Sequence, residues 1–416
     1  MDQVFASVGL VLIFGLAFWR NLNMGSVALA IAFFLGTFYF DLSAQEIATG
    51  FPGHLVITLL GVTYIFGIGR VNGTVDQVVR TLVNAVHGRV ALIPWVFFIL
   101  AAAITASGAL SIATYSILVP IGMAFAQKNR INPILMGLSI INGTNAGGFS
   151  PIAVYYTIIS AAIRHLGLDV EPIPVFFWTF LGSFLLNIVV YFMFDGMKLV
   201  RRDRNNTEVA DTSSVIAKAA WTGVQKLTVV VFLSVVAGAL LFGLDVGFMA
   251  MAGAVFIAAF RPDDAREGLQ QIGWGVILLI GGMVTYINML DSTGTIEGLA
   301  QKVSSVGSAE ISALLLLYIA AIVSAFASTN AMFVILVPLA APLLLTGDIN
   351  VMGFAIALAL AAVVVDTSPF STAGALVVAN TDETRSDRVF RGLLWWACGM
   401  MVLAPPIVWA IFVLPA

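Results

Sequence analysis

The chain has 416 residues, of which 60% are apolar and only 10% charged, with a formal net charge of −3 and a mean hydropathy of +1.02. A soluble protein carries roughly 25% charged residues, so the composition excludes a soluble globular domain and fits an all-α polytopic membrane protein. The single cysteine, Cys398, excludes an intrachain disulfide and, set in an apolar run, reads as a packed core residue. No Walker loop, GxGxxG, HExxH or paired CxxC occurs, and His54, His87 and His165 are scattered, so no cofactor or resident metal is expected.

A bilayer crossing needs ~20 apolar residues, and the runs follow one another closely. The first, 4–19, has no cationic region before it and reads as a retained helix, not a signal peptide. Next come 24–40, 55–69 and 91–125, the last interrupted at Thr105-Ala106-Ser107-Gly108. The run 131–163 carries Asn142-Gly143-Thr144-Asn145-Ala146-Gly147-Gly148-Phe149-Ser150-Pro151 at its centre. Glycine is costly inside a helix and proline lacks the N–H, so this crossing breaks in its middle. After 175–194 comes the long polar stretch 198–222. The second half brings 227–242, 246–260 and 272–290, then 311–345 interrupted at Ala327-Ser328-Thr329-Asn330. It closes with 351–379, interrupted at Asp366-Thr367-Ser368-Pro369, and 389–414.

The halves resemble each other. Gly61-Val62-Thr63-Tyr64-Ile65 corresponds to Gly282-Met283-Val284-Thr285-Tyr286-Ile287, and Ser116-Ile117-Leu118-Val119-Pro120 to Val334-Ile335-Leu336-Val337-Pro338, at a spacing near 220 residues throughout. The two long runs are too short for two crossings, which need ~40 residues or more. Read as re-entrant hairpins, with 198–222 in the cytoplasm, they leave only Arg164 and Lys302 of the 19 Lys and Arg outside. Each half then crosses five times, which turns the second upside down. The expected architecture is two inverted-topology repeats: 1–197 with hairpin 91–126 and broken helix 131–163, a cytoplasmic linker at 198–222, and 223–416 with hairpin 309–346 and broken helix 350–380. Both termini fall on the periplasmic side of the cell inner membrane.

Irregular backbone at membrane depth is tolerated only where protein or a water-filled cavity surrounds it, so the two hairpin tips and two breaks should converge on a binding site. Helix N-termini favour anions and unwound carbonyls favour small cations. No Lys or Arg lies in any break. The expected substrate contacts are Ser111, Thr114, Asn142, Thr144, Asn145, Ser328, Thr329, Asn330, Ser368 and Thr372. The expected cation contacts are Ser107, Gly108, Gly147, Ser150, Ser328, Asn330, Asp366, Thr367 and Ser371. Asp366 is the sharpest of these, because an acid at that depth is costly and by default functional. Structural readings stand beside each. Ser and Thr in membrane helices bond back to the i−4 carbonyl, Asn142 and Asn145 can knit two helices together, and Gly147 and Gly148 can serve close packing. Clustering at four corresponding places favours the site. The substrate is expected nearer Asn142–Asn145 and the coupling ion nearer Asp366.

Asn23-Met24-Gly25, Phe51-Pro52-Gly53, Gly61 to Thr74, Gly88-Arg89 with Pro94, and Asn142 to Pro151 resemble the N-terminal half of the MatC-type dicarboxylate (malonate) carriers. Ser328-Thr329-Asn330 and Thr367-Ser368-Pro369 are similar to the hairpin tip and break of the divalent-anion:sodium symporters in the wider ion-transporter superfamily. The resemblance implies a homodimeric secondary transporter, not an enzyme, that carries small dicarboxylates such as malonate or succinate by an elevator motion, with Na+ at the hairpin tips. The first tip lacks the family's asparagine, the second has Thr-Asn in place of Asn-Thr, and Asp366 stands where the sodium symporters have an uncharged residue. Na+ and H+ coupling therefore both stay open, as does another carboxylate substrate. No nucleic-acid partner is expected. A membrane enzyme would need a catalytic constellation beyond Asp366, and a passive channel would not need paired hairpins.

Overall fold

The computed structural model describes residues 8–9, 12–13, 15–16, 19–20, 22–84, 89–164, 166–205, 220–242, 244–293, 308–326 and 329–415. Most of the expected first helix, the middle of the linker, Ser328 and Lys302 lie outside them. The described chain is helical, without strands. The first part runs through α1 (Met24–Phe38), α2 (Ala44–Thr49), α3 (Gly53–Val71) and α4 (Thr74–Asn84). It continues through α5 (Ile93–Ala106), α6 (Ser111–Lys128), α7 (Pro133–Gly147), α8 (Val154–Arg164), α9 (Pro172–Met193) and α10 (Gly196–Asn205). The second comprises α11 (Gly223–Phe242), α12 (Val246–Phe260), α13 (Pro262–Gln270), α14 (Trp274–Ser292) and α15 (Ala309–Phe326). Then follow α16 (Thr329–Leu339), α17 (Ala341–Leu345), α18 (Val351–Val365), α19 (Thr372–Ala379) and α20 (Glu383–Phe412).

Among the described residues, α3, α9 and α20 are long and apolar enough to cross a bilayer alone. The helix pair Pro262–Gln270 and Trp274–Leu290, bent by 53°, can count as one more. The other apolar helices are shorter for a physical reason. The 15-residue α7 and α18 reach only about 22 Å at 1.5 Å per residue, short of the ~30 Å hydrocarbon layer. The run 131–163 is cut at 148–153 and the run 351–379 at 366–371, so each needs its second piece, α8 or α19, to complete the distance. Pro151 and Pro369 stand in these interruptions, where no helical N–H is required.

The outer surface is that of a membrane protein. Trp395 and Phe38 are 78% and 77% exposed, and Phe34, Phe192, Phe242 and Val402 also face outward. Such a belt has a favourable environment only in hydrocarbon. Cys398 belongs to this outer face of α20 and is exposed, which corrects its reading as a core residue. Apolar text does not distinguish a side chain facing protein from one facing lipid.

Two caps show how the breaks are anchored. Asn132 Oδ1 accepts from the Ile134 N–H at 3.0 Å at the start of α7, and Asn350 Oδ1 accepts from the Gly353 N–H at 2.9 Å at the start of α18. Replacing either by Ala should cost about 1 kcal/mol. In detergent this should lower Tm by no more than about 4 °C, with transport retained; a thermal-shift series checks it.

Packing pairs the halves reciprocally. Helix α1 packs on α14 while α3 packs on α12, and α6 meets α19 while α16 meets α8. Within each half, α7 lies between α5 and α9, just as α18 lies between α15 and α20.

Candidate functional site

Three helices begin around one small cavity. Helix α6 starts at Ser111, α16 at Thr329 and α19 at Thr372. Each presents the positive end of its helix dipole. The cavity, about 170 Å³, is lined by Ser111, Tyr115, Tyr155, Thr329, Asn330, Asp366 and Thr372, closed by Leu110, Ile112 and Val276. The starts of α6 and α16 and the interruption after α18 therefore meet there.

Asp366 follows the last residue of α18 and is 7% exposed. The Tyr115 hydroxyl donates to its Oδ2 at 3.2 Å. The Ser371 hydroxyl donates to the Asp366 carbonyl and accepts from the Gly374 N–H at 3.1 Å, which fixes the break around the acid. The Tyr155 phenol faces Ser111 and Thr329. Among the described residues no Lys, Arg or His lines the cavity, and Asp366 is its one carboxyl group. Opposite, Asn330 Oδ1 is buried and accepts no hydrogen bond.

Each hairpin is tied across its tip by hydroxyls. Thr105 and Thr114 Oγ1 atoms lie 3.1 Å apart, and Ser324 Oγ and Thr329 Oγ1 lie 2.9 Å apart. At the first tip Gly108 has φ +100°, and a Cβ there would run into Val62 on α3. Glycine is required both by that backbone conformation and by that approach. The Ser150 hydroxyl donates to the Ala106 carbonyl at 2.6 Å, binding the first break to the same tip.

The remaining expected contacts lie elsewhere. Asn142 Nδ2 donates to Asn187 Oδ1 at 3.4 Å, and Asn145 Nδ2 donates to the Val363 carbonyl at 2.8 Å, so both knit α7 to neighbouring helices. Thr144 bonds back to the Ile140 carbonyl, Ser107 to Ile104 and Thr367 to Val364. The Ser368 hydroxyl accepts from the Phe370 N–H within the break. Gly147 sits where a Cβ would meet the Ala102 carbonyl, a close approach of α7 to α5. The amide-rich stretch Asn142–Asn145 is not among the residues lining the cavity, and its amide donors are spent on α9 and α18. Asn145 Oδ1, Asn187 Nδ2 and Ser139 Oγ stay buried without partners beside it. Ser328 lies outside the described residues.

Sequence reading missed Tyr115 and Tyr155. Tyr115 stands four residues after Ser111, on the same helix face, and the corresponding Phe333 stands four after Thr329. Phe333, Phe149 and Tyr155 form an edge-to-face cluster with centroids 5.3–5.8 Å apart. Removing the Tyr115 hydroxyl deletes a hydrogen bond to a charged acceptor, worth roughly 1.5–3 kcal/mol. Tyr115→Phe should reduce transport by about tenfold or more, at unchanged expression, as measured by initial uptake rates.

Two wider vestibules flank the site. One, about 470 Å³, is lined by Asn23, Gly273 and Gly275 and shares Leu110, Ile112 and Val276 with the cavity. The other, about 730 Å³, is lined by His54, Thr58, Thr157, Ser160, Arg164 and Asp245, and reaches Pro151 of the first break. Asn23 Nδ2 donates to the Gly275 carbonyl at 2.8 Å in the first, where the second has the His54–Asp245 pair at 2.6 Å. Burial works to raise the Asp245 pKa. The Phe248 N–H and the His54 ring outweigh it, and the carboxyl lies below its ordinary value.

Residues 1–148 match the family model described as the dicarboxylate carrier protein MatC N-terminus. A search of the curated proteins returned no match. Among solved structures, the chain is similar to the Alcanivorax borkumensis YdaH transporter, with 13% identity, a TM-score of 0.64, and coverage of 90% of this chain and 88% of that one. It is also similar to Neisseria gonorrhoeae MtrF, described as illuminating a class of antimetabolite efflux pumps, with 14% identity, a TM-score of 0.63, and coverage of 89% and 83%. At these identities the two structures establish the fold. Residues 1–148 are therefore similar to the N-terminal part of MatC-type dicarboxylate carriers, and the chain as a whole has the helical membrane-protein fold of these two solved transporters.

Proposed function

We propose that the protein is a secondary active transporter of a small organic dicarboxylate such as malonate or succinate, coupled to Na+ or H+, and working by elevator-type alternating access. The observation that carries this reading is the cavity itself, where three helix N-termini converge around one buried acid. The N-termini suit a carboxylate. The acid suits a coupling cation or proton, because an ionisable group at that depth needs a partner.

The duplicated, inverted architecture, with repeats 1–197 and 223–416 joined by a cytoplasmic linker, is supported by the reciprocal packing. The crossing of α1 on α14 brings Gly25 against the Leu278 carbonyl and Gly282. The crossing of α3 on α12 brings Gly61 against the Gly247 carbonyl. Exchanging the halves maps one crossing onto the other. Helices α1, α3, α12 and α14 then form a scaffold, and the hairpins 91–126 and 309–346 with the broken helices form the moving part. Inner-membrane location, periplasmic termini and a homodimer complete the proposal.

The deciding measurement is uptake of radiolabelled malonate and succinate into proteoliposomes, with Na+ and pH gradients imposed separately. Accumulation of either acid under one gradient is expected. No accumulation under either gradient removes coupled dicarboxylate transport.

A further inference from the structure

We infer that the species bound is the hydrogen-dicarboxylate monoanion, its protonated carboxyl donating to Asp366 and its ionised carboxylate held by the helix N-termini; this rests on the dicarboxylate reading above. The charge inventory of the cavity carries the inference. Facing Asp366 are Tyr115 from α6, Tyr155 from α8, Thr329 and Asn330 from α16, and Ser371 and Thr372 at the start of α19. Among the described residues these include no Lys, Arg or His. A dianion would place three negative charges in about 170 Å³ without a cationic side chain to oppose them. Two carboxyl groups that share such a site hold a proton between them.

The hydrogen-bonding inventory points the same way. Asp366 Oδ2 accepts from Tyr115, and an ionised carboxylate has room for more donors. Asn330 Oδ1 is a buried acceptor without a donor. Leaving such groups unpaired is costly, and an acid O–H is what a small dicarboxylic acid has to offer them. At its other end the ionised carboxylate would meet the Ser111 and Thr372 hydroxyls and the positive ends of the helix dipoles. The proton thus crosses on the substrate, and proton coupling follows from which ionic form fits.

The purified full-length protein tests this by equilibrium binding of malonate and of malonamate, its monoamide, across a pH series. Malonamate keeps one carboxylate and carries an amide N–H₂ where the monoanion carries its acid proton. At pH values where the malonate monoanion and protonated Asp366 are both minor species, the apparent Kd for total malonate should rise about tenfold per pH unit, while malonamate affinity stays flat and malonamate displaces malonate. Asp366→Asn should flatten the malonate slope. A malonate Kd that is constant or improves with pH, with no displacement by malonamate, overturns the inference and leaves dicarboxylate binding standing. If neither compound binds at any pH, the dicarboxylate reading itself falls.

Discussion

Asp366→Asn should abolish gradient-driven accumulation of dicarboxylate while solute exchange across the same membrane persists at a reduced rate. The carboxyl is the one ionisable acid in the cavity, and it touches Tyr115 from the first hairpin while its backbone is held by Ser371. An amide at this position retains the shape and can still accept from Tyr115, so the binding geometry survives. What it loses is the negative charge that obliges a proton or a cation to enter with the substrate. Energetic coupling between two bound species is typically 1–3 kcal/mol; its loss should lower accumulation by about a hundredfold, with exchange falling by less than about tenfold. Counterflow and accumulation measured on the same proteoliposomes separate the two. If accumulation under a pH gradient survives with its pH dependence intact, Asp366 has no part in coupling.

Much of this site was legible from residue types that are costly in a membrane. Asp366 stood out because an acid in an apolar run has no cheap explanation, and Thr329, Asn330, Ser111 and Thr372 because they follow breaks. What sequence could not tell was which polar side chains are occupied. Asn142 and Asn145 looked like ligands, yet the structure spends their donors on Asn187 and the Val363 carbonyl. Their alternative reading, the knitting of helices, is chemically identical until the partners are known. Tyr115 and Tyr155 were hidden for the opposite reason: in an apolar run a tyrosine counts as hydrophobic, and only the cavity reveals its hydroxyl. Element order was readable because glycine and proline interrupt helices locally, as in the stretch from Gly147 to Pro151. The exposure of Cys398 was not, because the hydrocarbon outside and the core inside select the same residues.

The largest structural penalty should come from adding a side chain at the two glycine crossings. A Cβ on Gly25 would overlap the Leu278 carbonyl and the Leu279 backbone, and one on Gly282 would overlap the backbone of Gly25. Neither neighbour is the flexible end of a side chain, so the helices themselves must separate. In lipid, packing and close backbone approach supply the association that the hydrophobic effect provides in water. Inserting bulk into a packed interface costs typically 1–3 kcal/mol, and more where backbone must move. Gly25→Val and Gly282→Val should therefore cost more than about 3 kcal/mol and remove the monodisperse peak on size exclusion. Gly61→Val and Gly247→Val should behave alike, since Gly61 meets the Gly247 carbonyl and Gly247 meets the Thr58 backbone. Gly399 supplies the control: a Cβ there meets nothing within 4 Å, so Gly399→Ala should be neutral or should stabilise by about 0.5–1 kcal/mol, the helix-propensity gain over glycine. Loss of all four valine variants with survival of Gly399→Ala is the expected pattern. Wild-type yield and Tm for Gly25→Val or Gly282→Val would show that α1 and α14 do not need this close approach. Loss at one crossing and tolerance at the other would break the equivalence of the halves on which the inverted-repeat reading depends.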